Sequence, residues 1–347
     1  MNALQKFLSF FGGGAMVAVI AHGLVGMSLV WDKVLLKNPG TKNLVSYVFW
    51  LGAISIFGVV LVFFGYQSLP VWLGAIAFAA GALDLVASYF YYAALKRGQT
   101  SDTLAIMGGF SPVATALFAL LLLQNQMSRT QLMGFALMTL GGFVMFFSEK
   151  LPLKRILPPV LLASAIFGLV NVLEKFVYNH TNFVTGYVWF AIGTFVGSMA
   201  LLARPSWRTQ IFTESHQSTP RNRFWYFVNR FTAGLGSFLI FYAISLTHPA
   251  IVNAISGIRY VVIFVGAYIL TKFRPAWLKE DFSGWQLVTK TIGTCLVIAG
   301  VVVVGLAGGK TAASAASPQP DSSSRLAVLA DTTQCRHAAA LFVAVDA

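Results

Sequence analysis

Charged residues are scarce in this chain: they make up 10% of its 347 residues, whereas hydrophobic residues make up 57%. A soluble domain typically carries about 25% charged residues, so too few are present here to cover a globule of this size. The two cysteines exclude a disulfide scaffold. The mean hydropathy of +0.74 excludes a disordered polymer. The class that remains is a membrane protein that crosses the bilayer several times.

Motifs for energy-driven or catalytic chemistry are also missing. No Gly-x-x-x-x-Gly-Lys-Ser/Thr loop is present, which argues against ATP-driven transport by this chain. No His/Cys/Glu cluster has metal-ligand spacing, and no nucleophile–base motif stands out. We therefore expect no cofactor, no metal and no enzymatic activity.

The net charge of +13 does not indicate nucleic-acid binding. Residues 1–307 hold 21 Lys/Arg and 8 Asp/Glu, so they carry the entire excess, and 15 of these basic residues fall in one alternate set of predicted loops. Such a bias is typical of membrane topology and of contact with lipid head groups. We expect membrane lipid, and no nucleic acid, as a partner.

Ten apolar runs are long enough to cross the roughly 30 Å hydrocarbon layer as helices. The two longer connections, residues 204–223 and 272–285, are predicted as loops. The runs are residues 10–31, 43–65, 70–94, 103–123, 131–148, 157–178, 183–203, 224–246, 249–270 and 286–307.

Three short matches at offsets of 142 to 150 residues indicate an internal repeat. The matched pairs are Leu29–Leu36 with Asn171–Tyr178, Tyr91–Ala94 with Phe241–Ile244, and Gly109–Val113 with Gly257–Val261.

The repeat predicts an all-α polytopic membrane protein with ten transmembrane helices in two five-helix halves, residues 10–148 and 157–307. Because five is odd, the second half enters the membrane with the opposite polarity, which is the inverted-topology repeat of secondary transporters. Residues 308–347 form a low-complexity tail; Ala, Ser, Pro and Gly dominate its first part, and we expect it to be disordered.

The ten-helix plan resembles the EamA-like transporters of the drug/metabolite transporter superfamily. The motifs that carry the resemblance are Trp31–Lys33, Tyr92–Leu95, Leu104–Pro112, Leu132–Gly134, Leu140–Gly142, Tyr242–Ser245, Asn253–Tyr260 and Gly293–Val301. The resemblance implies a central solute cavity between the halves, reached alternately from each side. The chain departs from the family after the fourth helix, where Gln124–Gln126 replaces a frequent Gly-Glu pair.

We expect the protein to lie in the plasma membrane. The charge distribution and the family resemblance disagree on its orientation there. Basic residues favour cytoplasmic loops, and their distribution places both termini outside. The resemblance implies both termini inside. We follow the charge bias, because it is a property of this chain.

Arg259 is the sharpest candidate for solute binding. It lies about ten residues into the ninth run, too deep to reach the interface easily. Its planar fork matches a carboxylate or a phosphate, and Ser256, Tyr260 and Asn253 lie nearby in the sequence. We expect Arg259 to bind an anionic group of the solute; the alternative is a structural ion pair with Asp84 or Glu174.

Asp84 begins a polar face in the middle of the third run. Ser88, Tyr91 and Tyr92 follow at i+4, i+7 and i+8, so the four side chains share one side of a helix. We expect this face to line the cavity, with Asp84 orienting the solute or carrying a coupling proton. The alternative is a core aspartate that is hydrogen-bonded or ion-paired.

The pairs Asp32–Lys33 and Glu174–Lys175 occupy related positions in the two halves. We interpret them as gate or entrance charges; the alternative for the first pair is anchoring at the interface. Asn171 extends the polar stripe of Glu174. His22 lies three turns before Lys33 and is a weaker coupling candidate, since a lone histidine in the membrane is more often a hydrogen-bonded packing residue.

Arg230 and several glycines are interpreted structurally. Arg230 lies about six residues into the eighth run, so we expect it to reach the interface as an anchor. Gly193-x-x-x-Gly197, Gly108–Gly109 and Gly141–Gly142 permit close helix approach.

The leading hypothesis is a secondary transporter of a small polar, anionic metabolite that works by alternating access. A flippase for a phosphorylated or sugar-bearing lipid is the first alternative, and a lateral opening between helices would distinguish it. A membrane enzyme acting on lipid is the second. The sequence predicts neither the solute nor the oligomeric state.

Overall fold

The computed structural model describes residues 13–35, 43–97, 100–123, 127–148, 153–217, 219–259, 262–263, 265–266 and 284–315. Their regular secondary structure is helical throughout, in eleven α-helices and three 3₁₀ segments. The α-helices are α1 Gly14–Leu35, α2 Leu44–Ile54, α3 Val71–Arg97, α4 Thr100–Leu122, α5 Arg129–Ser148, α6 Leu153–His180, α7 Phe183–Ala200, α8 Pro205–Gln217, α9 Pro220–Leu246, α10 Pro249–Ala254 and α11 Gly284–Ala315.

The 3₁₀ segments each extend an α-helix. Ser55–Phe64 continues α2, Leu201–Ala203 continues α7, and Ile255–Gly257 continues α10. The first of them ends at Gly65, whose φ of 101° is accessible to glycine at little cost.

Among the described residues, six helices are long and apolar enough to cross a membrane: α1, α2 with its 3₁₀ extension, α3, α6, α7 with its extension, and α9. Two shorter apolar helical stretches, Ile106–Leu122 and Thr291–Val304, lie within α4 and α11. The chain is therefore a multi-pass integral membrane protein. The ten-span, two-repeat plan and its boundaries stay a prediction, since much of residues 260–283 lies outside the described residues.

The predicted loop of residues 204–223 is wrong in one respect, because it contains the helix α8. This helix begins at Pro205, a residue favoured in the first turn of a helix. Only Ile211 of its described side chains is buried, against Val45 and Phe49 of α2. A helix with so few apolar contacts gives no hydropathy signal, which is why the sequence pattern missed it.

The chain divides into two compact units, Met1–Ala307 and Gly308–Ala347. In the second unit the described residues are the helical residues 308–315; the predicted disordered tail otherwise lies outside the described residues. In the first unit, α3 packs along α6 and α7, α1 packs along α9, and α4 packs along α6. Helices from the first 148 residues thus contact helices from the following residues over most of their length.

Glycines bring several of these helices into backbone contact, as the sequence predicted. A Cβ on Gly193 of α7 would overlap the carbonyl oxygen of Phe78, and a Cβ on Gly81 of α3 would overlap that of Phe190. A Cβ on Gly142 would lie 2.6 Å from the carbonyl oxygen of Gly108, between α5 and α4. The packing interpretation of these glycine motifs is confirmed.

Candidate functional site

A cavity of about 700 Å³ lies among the helices of the first unit. Its wall is built from α1, α2 and its 3₁₀ extension, α3, α4, α6, α7, α9 and the α10 region. Nine of the fourteen predicted site residues line it: Asp32, Asp84, Ser88, Tyr91, Tyr92, Asn171, Asn253, Ser256 and Arg259.

The other five predicted residues do not line this cavity among the described residues. His22 and Glu174 are fully buried, and Lys175 is 9% exposed. Tyr260 and the side chain of Lys33 lie outside the described residues.

Arg259 is hydrogen-bonded to His22, which lies 237 residues earlier in the chain. The guanidinium Nε donates to Nδ1 of His22 over 3.0 Å. Nε2 of His22 lies 2.8 Å from the carbonyl oxygen of Val252. With one ring nitrogen accepting and the other donating, the imidazole is the neutral tautomer that carries its proton on Nε2. His22 therefore orients the fork of Arg259 on the cavity wall.

The alternative of a structural ion pair is not what the structure shows: within the described residues, no ion pair joins Arg259 to Asp84 or Glu174.

The polar face of α3 lies on the cavity wall as the spacing predicted. Asp84, Ser88, Tyr91 and Tyr92 all line the cavity. Asp84 is half-buried and, among the residues the structure describes, has no hydrogen bond or ion pair. It interacts electrostatically with Tyr187, which also lines the cavity. Asp84 is thus an acceptor presented to the cavity rather than a paired core residue.

Asp32 and Arg230 form a buried ion pair on another part of the wall. The carboxylate of Asp32 also accepts from Asn229 Nδ2 and, over 2.5 Å, from the hydroxyl of Tyr47. The hydroxyl of Tyr92 donates to the same carboxylate over 3.3 Å and accepts from Arg230 Nη1 over 3.0 Å. We call these five residues the Asp32 cluster.

Aromatic rings surround the guanidinium of the Asp32 cluster. The Cζ atom of Arg230 lies 4.9 Å from the ring centroid of Tyr47, 5.6 Å from that of Tyr226 and 5.9 Å from that of Tyr92. Each contact has cation–π geometry. The side chains of Arg230 and Asp32 are 2% and 1% exposed, so the pair is shielded from lipid and water.

The expectation that Arg230 anchors at the interface is wrong. The predicted run began at residue 224, but α9 begins at Pro220, capped by the side chain of Thr219. Arg230 therefore lies ten residues into the helix, about 15 Å at 1.5 Å per residue. The alternative for the pair Asp32–Lys33 was anchoring at the interface. The structure does not place Asp32 there, because its carboxylate is buried and paired with Arg230; the side chain of Lys33 lies outside the described residues.

Glu174 is a fully buried carboxyl on α6. Neither of its oxygens, nor the hydroxyl of Tyr178 one turn later, makes a hydrogen bond among the described residues. Glu174 interacts electrostatically with Asp84 and Tyr187. Lys175 points elsewhere, because adjacent residues diverge by about 100° on a helix, and its Nζ donates to the carbonyl oxygen of Ser245 over 2.9 Å.

Asn253 connects the α10 region to α4. Its Nδ2 donates to the hydroxyl of Thr115, which in turn donates over 2.8 Å to the carbonyl oxygen of Ser111. Both Asn253 and Ser111 line the cavity. This bond fixes the position of α10, the helix that leads into Arg259.

The sequence missed three members of the site's polar network. Tyr47 and Asn229 complete the Asp32 cluster, and Tyr187 lines the cavity and interacts electrostatically with Asp84. Asn229 directly precedes an arginine within an apolar run, and that adjacency was an available signal. Tyr47 and Tyr187 resemble ordinary membrane aromatics in sequence and carry no such signal.

Comparisons with known proteins give one family and one fold. Residues 12–147 match the sequence profile of the EamA-like transporter family. No curated protein matches the chain. A protein of known crystal structure aligns with a TM-score of 0.56 and 14% sequence identity, over 89% of this chain and 99% of the other chain. A likeness at this identity shows a shared fold alone.

Proposed function

We propose, from the membership of residues 12–147 in the EamA-like transporter family, that the chain is a secondary transporter of a small polar, anionic metabolite. The solute crosses by way of the cavity, which opens alternately to each side of the membrane as the two halves of the chain move against each other. The observation that carries the proposal is Arg259 on the cavity wall, oriented by a neutral histidine. The match to a family of transporters argues against a lipid-modifying enzyme.

Arg259 supplies the charge that recognises the solute. An arginine placed in the membrane costs about 2.5–3.5 kcal/mol on insertion scales, and a functional contact explains why it is kept. Its fork forms two parallel hydrogen bonds to a carboxylate or a phosphate. Asp84 presents an acceptor to the same cavity and selects a solute that also carries a hydroxyl or another donor.

Replacement of Arg259 by alanine tests this assignment. We expect the Kd for an anionic ligand, found by screening metabolites for thermal stabilisation, to rise at least about 30-fold, which corresponds to roughly 2 kcal/mol for loss of a buried charge contact. Arg208→Ala is the matched control, because Arg208 is exposed on α8 and does not line the cavity. An Arg259→Ala protein that purifies normally and binds and transports the ligand like the wild type contradicts the assignment.

Glu174 is the proposed carrier of a coupling proton. It is fully buried and does not line the cavity, and within the described part of the chain it interacts with Asp84 on α3, Tyr187 on α7 and Tyr178 on its own helix. We expect Glu174→Gln to keep ligand binding and solute exchange but to lose uphill uptake driven by a pH gradient in proteoliposomes. Asp84→Asn is the matched comparison. If only Asp84→Asn uncouples transport, Asp84 is the carrier and the assignment to Glu174 is wrong.

Orientation and membrane are part of the proposal. The charge bias predicts both termini outside the cytoplasm in the plasma membrane. A reporter fused to each terminus that is active only in the cytoplasm is expected to stay inactive; activity at both termini would support the orientation implied by the family.

A further inference from the structure

Two residues that line the cavity have largely exposed side chains, and each lies near the middle of a membrane span. Phe57, on the 3₁₀ extension of α2, and Phe231, on α9, both line the cavity and are 72% and 73% exposed. Side chains with so much exposed surface do not lie inside a sealed cavity, so the cavity is open where these two rings stand. Both residues lie well inside helices that are long and apolar enough to cross a membrane. The opening therefore faces hydrocarbon rather than water.

Aromatic contacts close the opening at both ends. At one end Trp50 of α2 meets Phe227 of α9, with ring centroids 6.4 Å apart. At the other end Tyr187 of α7 meets Phe238 of α9, with centroids 5.2 Å apart. Phe227 and Phe238 lie eleven positions apart, which is about 16 Å along the helix. We call the opening bounded by these four residues the membrane window.

The rim of the membrane window is apolar and has unfilled space. Gly234 and Leu235 of α9 line the cavity and are exposed, and a Cβ added at Gly234 would meet no atom within 4 Å. The interior of the same cavity holds Arg259 and Asp84. An apolar mouth that leads to a polar interior matches a molecule with a charged head group and an apolar chain.

We propose that the solute is an anionic amphiphile of the bilayer: its head group binds Arg259, and its acyl chain extends through the membrane window into the hydrocarbon. This inference rests on the anion site of the proposed function, and it names an amphiphile instead of a small polar metabolite as the solute. For a ligand that is taken up from water, each methylene buried against the rim contributes affinity. An acyl chain that stays in the bilayer also does not have to cross the polar interior while the head group moves from one side to the other.

Alkyl phosphates of increasing chain length test the inference on the purified chain in phosphatidylcholine nanodiscs. Empty nanodiscs correct for partition of the probe into lipid. We expect methyl phosphate to bind weakly through Arg259, and the Kd to fall about fourfold for each added methylene that reaches the rim. Gly234→Phe fills the membrane window and is expected to abolish this gain without changing the Kd for methyl phosphate.

Two further variants keep the test decisive. Gly23→Phe is the matched control, because a Cβ at Gly23 also meets no atom within 4 Å and Gly23 does not line the cavity; the gain with chain length is expected to persist there. Leu235→Trp enlarges an exposed rim side chain and repeats the test if Gly234→Phe does not fold.

The outcomes separate this inference from the proposed function. Equal Kd values for methyl and octyl phosphate in the wild-type chain overturn the membrane window and leave the role of Arg259 intact. A gain that survives in both window variants also overturns it, because the chain then lies elsewhere. Phosphate binding that is unchanged in Arg259→Ala contradicts the proposed function instead.

Discussion

Replacement of Asp32 by alanine is expected to lower the free energy of unfolding by about 3–5 kcal/mol. The change leaves the guanidinium of Arg230 charged and buried without its carboxylate. The hydroxyl of Tyr92 and the rings around Arg230 remain, but none of them carries a full negative charge. The measurement is the unfolding free energy, or the thermal midpoint, of the purified protein in one detergent.

A double variant separates the loss of the pair from damage to the site. Replacing a buried ion pair with apolar residues of similar volume is often neutral or stabilising, so Asp32→Leu with Arg230→Met is expected to recover most of the loss. The wild type, Asp32→Leu, Arg230→Met and the double variant form a double-mutant cycle that gives the coupling energy of the pair directly. A loss below about 1 kcal/mol for Asp32→Ala, or a double variant as unstable as the sum of its parts, would contradict the buried pair.

The pair also matters for the charge of the cavity. Both partners line it, but they neutralise each other, so the Asp32 cluster adds polar surface without adding net charge. Among the described residues of the wall, the other charged residues are Arg259 and Asp84. The recognition of an anion is therefore assigned to Arg259 and not to Arg230, although both are deep arginines of the membrane region.

Local patterns predicted the parts of the structure that depend on local physics. The face from Asp84 to Tyr92 was predicted because side chains at i, i+4, i+7 and i+8 share a side of any helix, and the structure places all four on the cavity wall. The close approach at Gly193 of α7 was predicted for a similar reason, since small residues at intervals of four allow helices to approach.

Long-range partners could not be predicted in this way. The bond between Arg259 and His22 joins residues 237 positions apart, and the pair of Arg230 and Asp32 joins residues 198 apart. One sequence contains no information on which buried charge meets which. The wrong prediction for Arg230 had a different cause: the start of the helix was placed four residues too late, at residue 224 instead of Pro220. That shift was enough to assign Arg230 to the interface instead of to a buried ion pair.

Replacement of Gly193 by alanine is expected to be the most destabilising of the glycine changes, by at least about 3 kcal/mol, the upper end for overpacking. The added methyl group would overlap the carbonyl oxygen of Phe78 on α3, and a backbone oxygen cannot rotate away as a side chain can. Gly81, on the facing helix, contacts the Phe190 carbonyl in the same way. The two helices would have to separate, and the hydrogen bond from Thr194 Oγ1 to the Gly81 carbonyl, 3.1 Å long, would lengthen.

Gly197→Ala is the matched control one turn further along α7. There the added methyl group would come no closer than 3.3 Å, to the terminal Cδ2 of Leu85, so the thermal midpoint is expected to change little. Asp84 on α3 and Tyr187 on α7 both line the cavity from this pair of helices. A Gly193→Ala protein that folds should therefore also bind the anionic ligand more weakly, whereas Gly197→Ala should not. Equal stability of the two variants would show that α3 and α7 are not in backbone contact at Gly193, and the position of Asp84 on the cavity wall would lose its support.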